Sequence, residues 1–149
     1  MHPQLDLSAL RQAIQSLENA IAVVNREDWF KAQDELIQNT LIAGVIQNFE
    51  FVYEISTKMI KRQLELESAS PTEIDASNFK DVLRIAAEKG LIHNVEAWFI
   101  YRKMRNITAH TYDHEKAEQV YEETLIFVKD AALLLKKLEE RNARPDTTT

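Results

Sequence analysis

Apolar residues recur three or four positions apart through most of this 149-residue chain, and few residues interrupt them. Only two glycines (Gly44 and Gly90) and three prolines (Pro3, Pro71 and Pro145) are present. A β-sandwich or barrel needs turn residues about every ten positions, so this scarcity disfavours both. A spacing of three to four residues is that of one helical turn, and the sequence therefore predicts long helices.

The pattern predicts an all-α fold: an up-and-down antiparallel helical bundle with four main helices plus a short one. A single domain is expected over residues 1–149, with the tail, about 142–149, disordered. The main helices are predicted at about 7–26, 30–66 and 95–108 and from Asp113, an N-cap, onward. A short helix is predicted at 79–89 between Asn78, its N-cap, and Gly90, its C-terminal stop, after a loop over 68–77. Gly44, inside the second helix, suggests the close approach of another backbone.

Composition and charge restrict the class of protein. The chain has no cysteine, which excludes disulfides and thiolate zinc sites and favours a cytoplasmic protein. The N-terminus shows no signal-peptide pattern, and no run approaches the roughly 18 apolar residues of a membrane span, so no membrane association is expected. The net charge of −6 disfavours a nucleic-acid binder that uses its whole surface, but it leaves room for a local basic site.

On two predicted helices, the apolar residues extend beyond a single narrow stripe. A bundle core covers one face of each helix, so a second apolar surface favours a homodimer over a thick monomeric core. The residues concerned are Phe49, Phe51 and Val52 on the second helix and Trp98, Phe99 and Ile100 on the fourth.

The segment Arg105–Tyr112, RNITAHTY, places several chemically capable side chains together near a predicted helix end. Asn106 and His110 are four residues apart and would share a helix face within hydrogen-bonding reach. Arg105 and His110 are five apart, so a continuous helix would point them about 140° away from each other. Either the helix breaks after Thr108, where β-branched residues weaken it, or the site combines residues from two chains.

These residue types suit the cleavage of RNA by its own 2′-hydroxyl without a metal. His110 would act as general base or acid, because an imidazole moves protons near neutral pH. Arg105 would hold the phosphate, since a guanidinium binds phosphoryl oxygens in bidentate fashion. Asn106 would orient the imidazole, and Arg102 and Lys103 would contact the RNA backbone.

A purely structural explanation is open at this point. Arginine, asparagine and histidine near a helix C-terminus also favour the helix dipole and cap free carbonyls, and the spacing alone is a weak signal. His114 lies near His110, but no carboxylate–histidine spacing typical of a metal site accompanies the pair. No metal or other cofactor is therefore expected.

The chain resembles a known family over roughly residues 5–140. RNITAHTY matches the R-x4–6-H signature of HEPN domains in the extended form R-N-x-x-x-H-x-Y. IQNFEFVYEISTKMIKRQLE is similar to the long second helix of one branch, and the run from SPTEIDASNFKD to EKAEQVY matches its later elements in order. That branch is the HepT-like family, also known as nucleotidyltransferase substrate-binding proteins.

The resemblance implies a homodimer that acts as the toxin of a type VII-like toxin–antitoxin pair. Arg105, His110 and Asn106 would form a metal-independent endoribonuclease site at a dimer-interface cleft. Tyr112 would be the position where an MntA-type nucleotidyltransferase antitoxin attaches AMP, and the added charge and bulk would block RNA. The alternative is a non-catalytic nucleotide- or substrate-binding subunit of a two-component nucleotidyltransferase.

Overall fold

The computed structural model describes residues 4–143, which contain seven α-helices, one 3₁₀ turn and no β-strand. The all-α prediction is thereby confirmed, although the seven helices exceed the predicted five. In chain order they are α1 (Ser8–Val24), α2 (Glu27–Lys31), α3 (Glu35–Glu67), α4 (Pro71–Ala76), α5 (Phe79–Glu88), α6 (Val95–Ile107), the 3₁₀ turn Thr108–His110 and α7 (His114–Asn142).

The long helix α3 is the centre of the bundle and packs against α1, α7, α4 and α5. The core is built around Phe127 of α7, which is fully buried. The rings of Tyr101, Phe49 and Trp98 lie 4.9, 5.0 and 5.8 Å from the Phe127 ring, all nearly perpendicular to it. Because these residues come from α3, α6 and α7, the cluster fixes α6, which carries the candidate site, against the two longest helices.

The predicted second helix, 30–66, is wrong at its start, because the structure divides this region into α2 and α3. Asp34 ends the continuity by capping α3, and its carboxylate accepts a hydrogen bond from the Ile37 N–H at 2.9 Å. The Gln38 amide donates to the carbonyls of Phe30 and Gln33, both at 3.0 Å. These bonds satisfy backbone groups that an uninterrupted helix would have paired, and they stabilise the corner.

Two further boundary predictions need correction. The loop expected over 68–77 contains α4, which begins at Pro71, where the fixed φ of proline suits the first helical turn. Asn142, assigned to the disordered tail, belongs to α7 and donates to Gln63 Oε1 at 2.7 Å. Ala143 is the C-cap of α7, and residues 144–149 of that predicted tail lie outside the described residues. The N-caps predicted at Asn78 and Asp113 are confirmed. The helix stop predicted at Gly90 is also confirmed, and the φ of this residue is +75°.

The expected second apolar surface is present only in part. Phe49, Val52 and Trp98 are buried in the core, whereas Phe51 and Ile100 are 53% and 43% exposed. The close approach of another backbone that was predicted at Gly44 is not present among the described residues, since a Cβ placed on Gly44 would meet nothing within 4 Å. The homodimer stays a prediction. No helix among residues 4–143 is long and apolar enough to span a membrane.

Candidate functional site

The segment 105–112 lies where the regular helix α6 ends. The α-helix stops at Ile107, and the backbone tightens into the 3₁₀ turn Thr108–His110. The Thr108 hydroxyl donates to the Arg105 carbonyl at 2.6 Å, and the Thr111 hydroxyl donates to the Thr108 carbonyl at 3.2 Å. These threonines satisfy carbonyls at the helix end. Of the two predicted arrangements, the helix break near Thr108 is therefore present, and it begins one residue earlier.

Arg105 is held in place by a carboxylate from another helix. Its Nε and Nη2 donate to Glu54 Oε1 of α3 at 3.1 and 2.6 Å, and its Nη1 donates to Thr108 Oγ1 at 3.2 Å. Glu50, one turn earlier on α3, lies 4.0 Å from Nη2. The hydrogen bond to Glu54 raises the pKa of the Arg105 guanidinium. The side chain stays 33% exposed, so this anchored cation can still meet a ligand from solvent.

Glu54 is the site residue that the sequence analysis missed. It lies 51 positions before Arg105, and no local pattern connects the two. The available signal was weak: Glu50 and Glu54 are four residues apart, which places two carboxylates on one face of the predicted helix. Only the packing of α3 against α6 shows that this face meets the arginine.

His110 and Tyr112 lie side by side on the surface beyond the helix end. Both are exposed, and their rings are 6.0 Å apart at an angle of 80°. Tyr112 is 85% exposed. No hydrogen bond joins the exposed Asn106 to His110 within the described residues, contrary to the expected one. The reason is the 3₁₀ turn, which removes the regular i,i+4 geometry on which that prediction depended.

Arg102 and Lys103 lie one turn before Arg105 on α6. The Arg102 guanidinium lies over the Phe79 ring of α5, 4.8 Å from its centroid, and Lys103 is exposed. Tyr53, buried beneath them, has its pKa raised to about 12 by desolvation, while Arg102 and Arg105 act in the opposite direction. Arg102 and Arg105 are three residues apart on α6 and therefore share one side of the helix.

Metal ligands do not cluster in this region. Across residues 4–143, no group of three or more His, Cys, Asp or Glu side chains is arranged to hold a metal ion. The chemistry that the residues themselves provide is a fixed guanidinium on α6, with an exposed imidazole and an exposed phenol beyond the end of that helix.

Comparison with known proteins places the chain in a family. The family model described as nucleotidyltransferase substrate binding protein like matches residues 5–140. The chain belongs to this family. The match spans almost the same residues as the HepT-like resemblance in the sequence.

A curated relative and a solved structure, both from Haemophilus influenzae, are similar to this family member. One, named probable ribonuclease HepT, is 46% identical over 142 residues, which is 95% of this chain and 97% of the relative. The other is a solved structure, 46% identical, with a TM-score of 0.88 over 90% of this chain and 99% of its own. It is described as showing the fold of a substrate binding domain of a nucleotidyltransferase. The first description names a ribonuclease, and the second names the fold of a substrate binding domain.

Proposed function

We propose that this family member is a metal-independent endoribonuclease, the toxin of a type VII-like toxin–antitoxin pair, acting in the cytoplasm as a homodimer. The observation that carries the proposal is the arrangement at the end of α6. An anchored, partly exposed Arg105 is followed, across a helix break, by an exposed His110. The name of the 46% identical relative, probable ribonuclease HepT, supports the same activity.

The proposed reaction is attack by the ribose 2′-oxygen on the adjacent phosphorus. The O2′–P bond forms as the P–O5′ bond breaks, the proton on the 2′-oxygen leaves to a base, and a proton is delivered to the departing 5′-oxygen. His110 serves as the base or the acid in these transfers. Arg105 stabilises the negative charge that builds on the phosphoryl oxygens, a role that suits its planar set of donors. The products are a 2′,3′-cyclic phosphate and a 5′-hydroxyl.

Glu54 acts in this proposal as a positioning residue. Two of the Arg105 donors bond the same carboxylate oxygen, which restricts the rotation of the long side chain. A pre-positioned guanidinium loses less conformational freedom when it binds a phosphate. Thr108 contributes a third contact from the helix end itself. Asn106 contacts the RNA near His110, or orients the imidazole once RNA is bound.

The proposed control of the enzyme is AMPylation of Tyr112 by an MntA-type nucleotidyltransferase. The Tyr112 side chain is 85% exposed and so accessible to such an enzyme, and its ring lies 6.0 Å from the His110 ring. An AMP group on the phenol oxygen would add negative charge and bulk next to the proposed acid–base residue. Repulsion of the RNA phosphates and steric blockage would then act together.

A second candidate function is a non-catalytic nucleotide- or substrate-binding subunit of a two-component nucleotidyltransferase. The family description and the description of the solved relative favour it. The same surface would then receive a nucleotide phosphate on Arg105 and Arg102, and His110 would have no proton to transfer. This candidate predicts a tight complex with the nucleotidyltransferase and no cleavage of RNA.

Expression without the partner separates the two candidates. The wild type is expected to arrest growth and degrade cellular RNA, and His110→Ala to do neither at the same protein level. Co-expression of the nucleotidyltransferase should restore growth of the wild-type culture. Equal growth and intact RNA in both cultures, together with a stable complex with the nucleotidyltransferase, would instead establish the binding subunit.

A further inference from the structure

A small basic cleft lies between α3 and α5, beyond the proposed catalytic residues. Its volume is about 240 Å³, and its lining combines two lysines, two hydroxyl side chains and two apolar side chains. The lining residues are Thr57, Lys58, Lys61, Ser77, Phe79 and Val82. The proposed reaction makes no use of this cleft.

The cleft adjoins Arg105 along both helices that hold the arginine. On α3, Lys58 follows Glu54 by four residues, about 6 Å along the axis, and Lys61 follows by about 10.5 Å. On α6, Arg102 precedes Arg105 by about 4.5 Å and lies over Phe79, which lines the cleft. Since α3 and α6 both lead from Arg105 to the same cleft, Arg105, Arg102, Lys58 and Lys61 form one series of cations, which we call the basic track.

The ligand class follows from the charges and hydroxyl groups in the cleft. The Thr57 and Ser77 hydroxyls already donate to the carbonyls of Glu54 and Glu73, at 3.1 and 2.7 Å. The lysine ammonium groups are therefore the donors available to a ligand. Lys58 is exposed and has no ion-pair partner among residues 4–143, while Lys61 pairs with Asp75 at 3.0 Å. That pair is solvent-exposed and so weak enough for a phosphate to displace.

We propose that the α3–α5 cleft binds the phosphates of a single-stranded RNA next to the phosphate held by Arg105. The inference rests on the proposed function, because it takes RNA as the ligand of Arg105. The basic track then sets which side of the scissile bond the protein holds most tightly. A strand too short to reach the cleft gains nothing from the two lysines.

Binding is measured with full-length His110→Ala protein, which keeps the RNA intact, and with a labelled mixed-sequence single strand. The double variant Lys58→Ala, Lys61→Ala is expected to bind about 10-fold more weakly. Loss of two phosphate contacts should also reduce the slope of log affinity against log salt by about 1.4, at about 0.7 for each contact on a single strand. The charge-preserving variant Lys58→Arg, Lys61→Arg should retain the slope of the parent His110→Ala protein.

A matched control removes two cations from α2 and its N-cap, near the N-terminal end of α3. Arg26→Ala, Lys31→Ala changes the net charge equally, and Lys31 is ion-paired with Glu27 much as Lys61 is with Asp75. The start of α3, which follows α2 closely in the chain, is about 35 Å from the cleft along the helix axis. The control should therefore leave the slope unchanged. Equal slopes for the cleft variant and the parent His110→Ala protein, or equal losses in the cleft and control variants, would overturn the proposal.

Cleavage by protein with an intact His110 separates this inference from the proposed function. Cleavage of a long strand should be slower in the cleft variant, whereas cleavage of a dinucleotide should be unchanged. If the cleft variant cleaves the long strand at the normal rate and RNA binding does not depend on the lysines, the proposed role of the cleft is rejected and the ribonuclease activity stands. If RNA binding depends on the lysines but the wild type cleaves no RNA, the cleft remains an RNA-binding site and the proposed ribonuclease activity is rejected.

Discussion

The contact between Glu54 and Arg105 gives a prediction in which activity and stability respond differently. In Glu54→Ala, the guanidinium loses both bonds to Glu54 Oε1, at 3.1 and 2.6 Å, and keeps only the one to Thr108. Arg105 can then sample other rotamers, and a catalytic group displaced by about 1 Å costs up to 100-fold in rate. We expect RNA cleavage to fall by about 10- to 100-fold, which is about 1.4–2.7 kcal/mol of transition-state stabilisation.

The effect of the same change on folding should be much smaller. The two side chains are 33% and 56% exposed, and ion pairs of this kind contribute about 0.2–1 kcal/mol. For a chain of this size, that loss lowers the melting temperature by about 4 °C or less. Single-turnover cleavage of a labelled RNA in EDTA and thermal melting by circular dichroism measure the two effects on the same sample.

Glu50→Ala is the matched control, because it removes the same charge one turn away. Glu50 is 4.0 Å from the guanidinium and makes no hydrogen bond to it, so we expect a change in cleavage of less than about threefold. Removing any carboxylate reduces repulsion of RNA, so charge alone predicts faster cleavage in both variants. Cleavage by Glu54→Ala at the wild-type rate or faster, or an equal loss in both variants, would refute the positioning role.

Two further predictions concern tyrosines. Incubation with the nucleotidyltransferase and ATP should add AMP to the wild type and none to Tyr112→Phe, as read by intact mass; full modification of the variant would remove the assignment. Burial raises the pKa of Tyr53 from about 10 to about 12, so the neutral phenol stabilises the fold below pH 10, and this contribution is lost as pH rises from 10 to 12. Across that window, the free energy of unfolding of the wild type should fall by up to about 2.7 kcal/mol more than that of Tyr53→Phe in denaturant titrations; equal losses would contradict the burial argument.

Features that depend on neighbouring residues could be predicted from the sequence. Asn78, Gly90 and Asp113 end or begin helices through contacts within a few positions, and all three were correctly assigned. Asp34 and Pro71 carry local signals of the same kind, but they were missed. The apolar periodicity running past Asp34 concealed one helix start, and the polar residues after Pro71 concealed the other.

Features that depend on tertiary packing could not be predicted. The bond between Arg105 and Glu54 joins residues 51 positions apart and exists only because α6 packs beside α3. The expected pairing of Asn106 with His110 assumed a regular helix, and the 3₁₀ turn invalidates that assumption. The spacing of Arg105 and His110 predicted either a helix break or a site shared by two chains, and the helix break is present.

The most direct test of the account is RNA cleavage by the purified protein in the presence of EDTA, with Arg105→Ala and His110→Ala prepared in parallel. The account predicts that the wild type cleaves RNA and leaves 2′,3′-cyclic phosphate and 5′-hydroxyl ends, and that each variant loses activity while retaining its fold by circular dichroism. Cleavage that disappears in EDTA, or that persists unchanged in His110→Ala, would contradict it.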